Sequence, residues 1–238
     1  MKDLSYTISD MVFRRFPDYV RGIVIAHGVN NRESPHEIVQ LLRDAEVSVR
    51  GRLSIDSIAE NSRIKCWRDA YRSFGAKPSE FRASNEAMAR RVMRNESLPS
   101  ISALVDIGNI VSMRHLIPVG GHAIDALTED VSLRLATGEE KFVSFGSDLL
   151  EHPLPGEIVF VEGDTVLTRR WTWRQANYTS TLLETQNIVF NVDGLPPVSS
   201  TEIEQACREV VELVKQYCGG DIRTELLSQN NTRIRLTA

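Results

Sequence analysis

Residues 157–173 read EIVFVEGDTVLTRRWTW. Apolar and polar side chains alternate on both sides of Gly163 and Asp164, the period of half-buried strands interrupted by a turn. Similar short runs stand at 131–136 (VSLRLA), 141–145 (KFVSF) and 187–192 (NIVFNV), separated by Gly, Pro and Asp turns. The middle of the chain is therefore β-rich and predicts an antiparallel or mixed sheet. Carried on through 169–174, the alternation places Arg170, Thr172 and Arg174 on one face and Arg169, Trp171 and Trp173 on the other. That cluster has two readings. Either aromatics beside arginines stack a base or ribose and pair a phosphate, or both tryptophans belong to a half-buried sheet whose arginines form surface ion pairs.

Towards the N-terminus the period becomes helical. Residues 20–29 (VRGIVIAHGV) form an apolar, β-branched run that ends at Gly28 and Asn30-Asn31, which reads as a buried strand entering a turn. Ser34-Pro35-His36-Glu37 then supplies an N-cap serine, a proline at the first helical position and a glutamate three residues on, followed by Ile38, Leu41, Leu42 and Ala45 at helical spacing. A shorter helix at 63–74 is expected to bury Ile64, Trp67, Ala70, Tyr71 and Phe74 and to turn Lys65, Arg68 and Arg72 outward. A third, capped at Ser84, sends Ala87, Met88 and Val92 inward and Arg90, Arg91 and Arg94 outward. A fourth runs from Ile101 through Leu104, Val105, Gly108 and Ser112, with Asp106 and Asn109 one turn apart. Further on, Ser199 and Glu202 make a capping box for a helix with Ile203, Ala206, Cys207, Val210, Val211, Val214 and Cys218 on one face, and a strand pair is expected at 222–227 and 232–237. The fold class is α+β, a mixed or antiparallel sheet with N-terminal and C-terminal helices packed on it.

The 238 residues suit one composite domain over 1–238. A composition of 42% hydrophobic and 25% charged residues excludes disordered, collagen-like and disulfide-scaffold classes. The apolar run at 22–29 is too short for a membrane helix and no signal segment opens the chain, which predicts a cytoplasmic protein without a membrane partner. Three cysteines, Cys66, Cys207 and Cys218, lack paired spacing and read as free thiols. The five histidines lie apart, and phosphate-loop, dinucleotide, nucleophile-elbow and zinc-protease motifs are absent, so neither a metal nor a cofactor is expected. Charge is unevenly spread: residues 63–94 carry nine Lys/Arg against three Asp/Glu, whereas 95–198 carry six against fourteen. The basic region holds Lys65, Arg68, Arg72, Arg90, Arg91 and Arg94, which either grip a phosphate backbone or form a solvated helical face.

Four segments are more specific: IKCWRDAYRSFG at 64–75, ASNEAMARRVMRN at 83–95, LPSISALVDIGNIVSMRHLIPVGGHAIDAL at 98–127 and GEIVFVEGDTVLTRRWTWRQANYTSTLLETQN at 156–187. Together they resemble, over roughly residues 60–195, the editing region of the phenylalanyl-tRNA synthetase beta chain, its third and fourth domains, in a stand-alone form. The resemblance rests on VDIGN at 105–109, HAID at 122–125 and the Gly-Glu pairs at 138–139 and 156–157, with Arg134-x-Ala136 before the first pair.

The resemblance implies an aminoacyl-tRNA deacylase acting in trans, with tRNA and the amino-acid moiety as partners. In the synthetase this region removes tyrosine from the phenylalanine tRNA, because a hydrophobic synthetic site rejects an isostere with an added hydroxyl only weakly. It further implies that Asn109 lines the editing pocket and that His122 matches the histidine that opens the family's HAFD-like segment. Hydrolysis of an activated ester requires no nucleophilic triad. His122 is the candidate to orient water or act as a general base, Asn109 to hold the amino group or carbonyl, and Gly120 and Gly121 to let backbone N–H groups approach the ester. Gly120, Gly121, Arg170, Trp171, Trp173, Arg174 and Asn191 are the substrate-binding candidates. A core or capping role for His122 and a structural polar pair of Asp106 with Asn109 are the alternatives. Departures from the synthetase pattern, PVGGH at 118–122 and RRWTWRQ at 169–175, with Asn191 near the place of a hydroxyl-reading glutamate, imply a different pocket and a weaker preference for tyrosine. The rival function is a non-catalytic module that kept the pocket and binds RNA, an amino acid or a protein.

Overall fold

A computed structural model of the chain describes residues 3–236. The first half holds β1 (Ser5–Ile8), α1 (Asp10–Arg15), β2 (Val20–His27), α2 (His36–Arg52), α3 (Ser62–Ser73), α4 (Ser84–Met93) and α5 (Ala103–His115). The β-rich part follows with β3 (Val119–Ala123), β4 (Val131–Leu135), β5 (Phe142–Val143), β6 (Leu150–Glu151), β7 (Ile158–Glu162), β8 (Thr165–Arg169), β9 (Arg174–Gln175) and β10 (Asn187–Gly194). Then come α6 (Ser200–Tyr217), β11 (Asp221–Leu227) and β12 (Arg233–Arg235). Two main sheets result, a six-stranded one in the order β12-β1-β4-β7-β8-β9 and a four-stranded one in the order β11-β2-β10-β3. β1 runs parallel to β4, and the four-stranded sheet is antiparallel throughout, so the α+β expectation with mixed and antiparallel sheets holds.

Strand β2 explains the layering. Successive side chains of a strand point to opposite faces, and β2 is apolar on both. Val24 and Ala26 pack with Ile188 and Phe190 of β10 against α2, α5 and α6, in a cluster that includes Leu42, Ile107 and Val210. Ile23 and Ile25 pack the other way with Val189, Tyr6, Leu133 and Phe160, filling the space between the two sheets. Full burial of each such aliphatic contributes about 1.5–3 kcal/mol, so β2 is anchored in both layers at once. Its mid-strand Gly22 is required by α6. A Cβ there would collide with Cys207 Sγ and lie 2.8 Å from Ile203 Cγ2. Helix α6 itself starts as its sequence predicts, with the Ser199 hydroxyl accepting from Glu202 N and the Glu202 carboxylate accepting from Ser199 N at 2.9 Å.

Several expectations are corrected. Pro35, not Ser34, is the N-cap of α2, because the Ser34 hydroxyl donates at 2.6 Å to Asp106, whose buried carboxylate also receives Ser100 Oγ and Ile101 N. Helix α4 has Ala83 at its N-cap with no side-chain bond, and it turns Asn85, Glu86, Ala89 and Val92 inward while Ala87 is exposed. Ile101 lies outside α5 and is exposed. The run TVLTRRWTW is not one strand: Arg170 and Trp171 take φ of 47° and 64°, reversing the chain between β8 and β9, so the predicted two-faced alternation of 169–174 does not exist. Strands β11 and β12 do not form a strand pair, since β11 adds to β2 and β12 to β1 in the other sheet; position 237 of that expected pair lies outside the described residues. The cysteines are free, and burial pushes the Cys207 thiol up to about 12. Among the described residues no helix is long and apolar enough to cross a membrane.

Gly22→Ala tests the layer contact. The added methyl overpacks the β2–α6 seam and should destabilise the protein by about 1–3 kcal/mol, read as a lower denaturant midpoint. The double variant with Cys207→Ala should recover part of the loss, because the obstructing sulfur is removed.

Candidate functional site

Strand β3 is the edge of the four-stranded sheet, and its alternation organises the site. Gly120 lies opposite Asn191 and His122 opposite Val189, while Asn191 and Val189 lie opposite Ile23 and Ile25. His122, Gly120 and Asn191 therefore share the face that meets the six-stranded sheet. A cavity of about 210 Å³ opens there, lined by Arg21, Asn191, Asp193, His122, Phe160 and Thr168, with Ser84, Trp173, Arg174 and Gln175 towards its rim. Gly121 points to the opposite, helical face. There a second cavity of about 270 Å³, lined by Leu104, Val105, Asn109, Gly121, Ile188 and Phe190, lies between α5 and β3. Gly120 and Gln175 line both.

The structure thus separates the two catalytic candidates. His122 belongs to the first cavity, Asn109 to the second, and β3 runs between them. His122 is 2% exposed, with Nδ1 2.7 Å from Thr179 Oγ1, Nε2 3.1 Å from Thr168 Oγ1, and Phe160 edge-on to its ring. Burial, helped by the nearby positive charge of Arg21, pulls its pKa down to about 3, so the ring is neutral in ordinary buffers. Gln175 covers it from outside, donating to the carbonyl oxygens of Gly121 and Thr179, both at 2.9 Å. Asn109 is half-buried and its side chain, among the described residues, has no hydrogen-bond partner; it makes no hydrogen bond to Asp106, whose carboxylate is occupied by the α5 entry described above.

Beneath the first cavity lies a polar cluster of which the sequence reading named only Asn191. Arg21 donates through Nε to Asp193 Oδ1 at 2.7 Å and through Nη1 to the Tyr6 hydroxyl, Tyr6 donates to Asn191 Oδ1 at 3.0 Å, and Tyr19 donates to Asp193 Oδ1. Burial holds the Tyr6 and Tyr19 phenols well above their ordinary pKa, so both keep their protons. The one sequence signal was an arginine inside the apolar run at 20–29 and an aspartate closing the run at 187–193.

The remaining candidates divide. Trp171 is 1% exposed and edge-on to Phe16, Tyr19 and Trp67, so it offers no face on which a base could stack, although it also lines the first cavity. Arg170 is buried between the rings of Phe81 and Trp173, its guanidinium 3.5 Å and 4.4 Å from their centroids, and is likewise withdrawn from solvent. Trp173 is half-buried and Arg174 exposed over it, 4.8 Å from its centroid. The expected outward face of α3 and α4 is also partly corrected. Arg68 and Arg90 turn to Glu86, a carboxylate only 1% exposed, at 2.7 and 2.8 Å. Lys65 and Arg72 share Asp69 on the surface. Arg91 reaches Ser97 O, and Arg94 is exposed. Arg82, Arg90, Arg91, Arg94, Trp173 and Arg174 nevertheless line one groove together with Glu80 and Glu96, the latter 3.9 Å from Arg91. Trp173 and Arg174 also belong to the rim of the first cavity, so groove and cavity share a wall.

Residues 66–219 match the sequence profile of the B3/4 domain. The chain belongs to this family. No curated protein sequence matches it. A solved structure similar to this B3/4 protein is an N-terminal fragment of the phenylalanyl-tRNA synthetase beta subunit from Pyrococcus horikoshii, at 12% identity and a TM-score of 0.48 over 93% of this chain and 51% of that one. The chain spans about half the length of that fragment. The B3/4 match begins inside α3, so two of the four strands in the site-bearing sheet, β2 and β11, come from outside it.

The state of His122 has a measurable consequence. An unfolded-state histidine titrates near 6.5 and this one near 3, so between those values the unfolded chain binds more protons and stability falls as pH drops. His122→Gln should lower Tm at pH 7.5 through lost packing yet shrink the further loss of Tm between pH 7 and pH 4. An unchanged acid-dependent loss would show that His122 is not held neutral.

Proposed function

We propose that this B3/4 protein is an editing hydrolase that removes a wrongly attached amino acid from aminoacyl-tRNA in trans, in the cytoplasm. The observation that carries the reading is the shared wall at Trp173 and Arg174, which joins a basic groove to a small polar cavity. A ligand with a phosphate backbone and a small acyl group at its end has that shape and charge. The cavity is smaller than the roughly 300–1,000 Å³ of sites for drug-sized molecules, which suits a single amino acid.

In this reading Arg91, Arg94 and Arg174 meet phosphates, Trp173 and Gly120 border the ribose and the ester, and Asn191 lies at the far end of the acyl group. An aminoacyl ester is already activated, so the chain needs to position water and polarise the carbonyl. A neutral His122 with a pKa of about 3 is a poor general base; its part is to orient Thr168 and Thr179, and through them water. Asn109 acts from the second cavity, across β3. The engagement of both His122 nitrogens favours one other reading, a binding module that takes aminoacyl-tRNA without hydrolysing it.

A deacylation panel of purified mischarged tRNAs separates the two, with tRNA affinity measured at two salt concentrations. The hydrolase reading expects turnover of at least one mischarged tRNA, with no bend near pH 6.5 in the rate profile. His122→Ala and Asn109→Ala should each lower single-turnover deacylation beyond any loss of folded protein, judged by melting the same preparations. Arg94→Glu should leave the fold intact and reduce the slope of log affinity against log salt by roughly 0.7–0.9, the contribution of one phosphate contact. Salt-dependent binding without turnover on any substrate would leave the binding module as the function.

A further inference from the structure

The floor of the first cavity holds a donor arrangement that the groove and the ester do not use. A guanidinium only donates, so the Tyr6 oxygen accepts from Arg21 Nη1 and the Tyr6 proton must go elsewhere. It goes to Asn191 Oδ1 at 3.0 Å. This order fixes the Asn191 amide: its oxygen faces Tyr6 and its Nδ2 is turned away. Among the described residues neither Asn191 Nδ2 nor Arg21 Nη2 has a hydrogen-bond partner, although Asn191 is 4% and Arg21 1% exposed and both line the cavity. Asp193, on the same wall, takes both of its side-chain bonds on Oδ1, which leaves Oδ2 as an acceptor. Neither atom is among the fully enclosed side-chain atoms left without a partner, so both stay open to the cavity their residues line, and two free donors on the wall of one small cavity point to a ligand that accepts from them.

We propose that Arg21 and Asn191 determine specificity by reading the end of the bound acyl group, selecting an amino acid whose side chain ends in a neutral oxygen acceptor with a proton of its own, a carboxamide or a hydroxyl. The inference rests on the reading of this cavity as the amino-acid site. Such a group accepts from both donors and returns a proton to Asp193 Oδ2. A hydrocarbon end leaves both donors unpaired, which is the costly case for a site built to hydrogen-bond its ligand. A carboxylate end has no proton for Asp193, whose charge Arg21 already balances. Tyr6 is a positioning residue, because it sets which way the Asn191 amide faces.

The test uses the full chain and tRNAs charged with near-isosteric amino acids: asparagine against leucine, threonine against valine, and asparagine against aspartate. Single-turnover deacylation is measured alongside equilibrium binding of the corresponding 3′-aminoacylamino-adenosines, whose amide resists hydrolysis. The expected result is a preference of roughly 100-fold or more for asparagine over leucine or threonine over valine, with aspartate below asparagine. Asn191→Asp, which exchanges the donor for an acceptor, should abolish that ratio. Tyr6→Phe, which removes only a hydroxyl and serves if Asn191→Asp does not fold, should reduce the ratio about tenfold by freeing the amide to flip. A purely structural role for either residue would change both members of a pair alike. Hydrolysis at equal rates within every pair overturns the inference and leaves the hydrolase reading standing. Preferential binding of the oxygen-bearing analogues without hydrolysis supports the inference and overturns the hydrolase reading. Neither binding nor hydrolysis overturns both.

Discussion

The buried ion pair of Arg21 with Asp193 is the constraint around which the site is arranged. Two opposite charges taken out of water cost several kcal/mol each in desolvation, and their attraction offsets this only when geometry is good and the remaining donors and acceptors are met. Here Tyr6 from β1, Tyr19 just before β2 and Asn191 from β10 meet most of them, and Trp171 donates to the Tyr19 hydroxyl at 3.2 Å. The pair therefore joins both sheets and the β8–β9 reversal at one point. A fully apolar filling of the same gap would bind the layers at least as well. What the polar filling adds is a directed row of hydrogen bonds that ends at the cavity.

A second constraint is the edge position of β3. An edge strand offers each of its faces to a different layer, and a two-residue period sends neighbours to opposite sides. Gly120 and His122 consequently look towards the six-stranded sheet and Gly121 towards α5. The glycines keep both faces open: a Cβ at Gly120 would meet nothing within 4 Å, whereas one at Gly121 would sit 3.0 Å from Ile188 Cδ1 and narrow the helical cavity. Two cavities with one thin wall follow from this, and chemistry that involves both Asn109 and His122 has to act across that wall.

Charge is handled by burial as much as by number. Glu86 sits inside α4 with 1% exposure and draws Arg68 and Arg90 onto itself, so two of the nine basic side chains at 63–94 are engaged on one buried carboxylate. Such pairs are weakly available to an external phosphate. Arg91, Arg94 and Arg174 line the groove where α4 meets the β8–β9 reversal, while Lys65, Arg72 and Lys77 are exposed outside it. In the proposed function, this placement would bring a phosphate backbone to the mouth of the cavity.

Strand period, helix period and one capping box were legible in the chain itself, because they depend on neighbours within a few residues. Runs such as IVFVE and NIVFNV, and Ser199 with Glu202, specify β7, β10 and the start of α6 locally. The α+β class and the likeness to the synthetase editing region, expected over about 60–195 and matched as a B3/4 domain over 66–219, were legible for the same reason, since both rest on pattern along the chain. Ser34 shows where local signals stop: a cap in sequence, it donates to Asp106, 72 residues away. Trp171 and Arg170 show it again, since a left-handed reversal converts a predicted two-faced strand into one core ring and one enclosed guanidinium. Which face of β3 each residue takes, and the meeting of Arg21, Tyr6, Asn191 and Asp193, were decided only by tertiary structure. Those contacts join residues 15 to 185 positions apart, and a hydrogen bond between distant strands depends on register and layer packing, which no local period encodes.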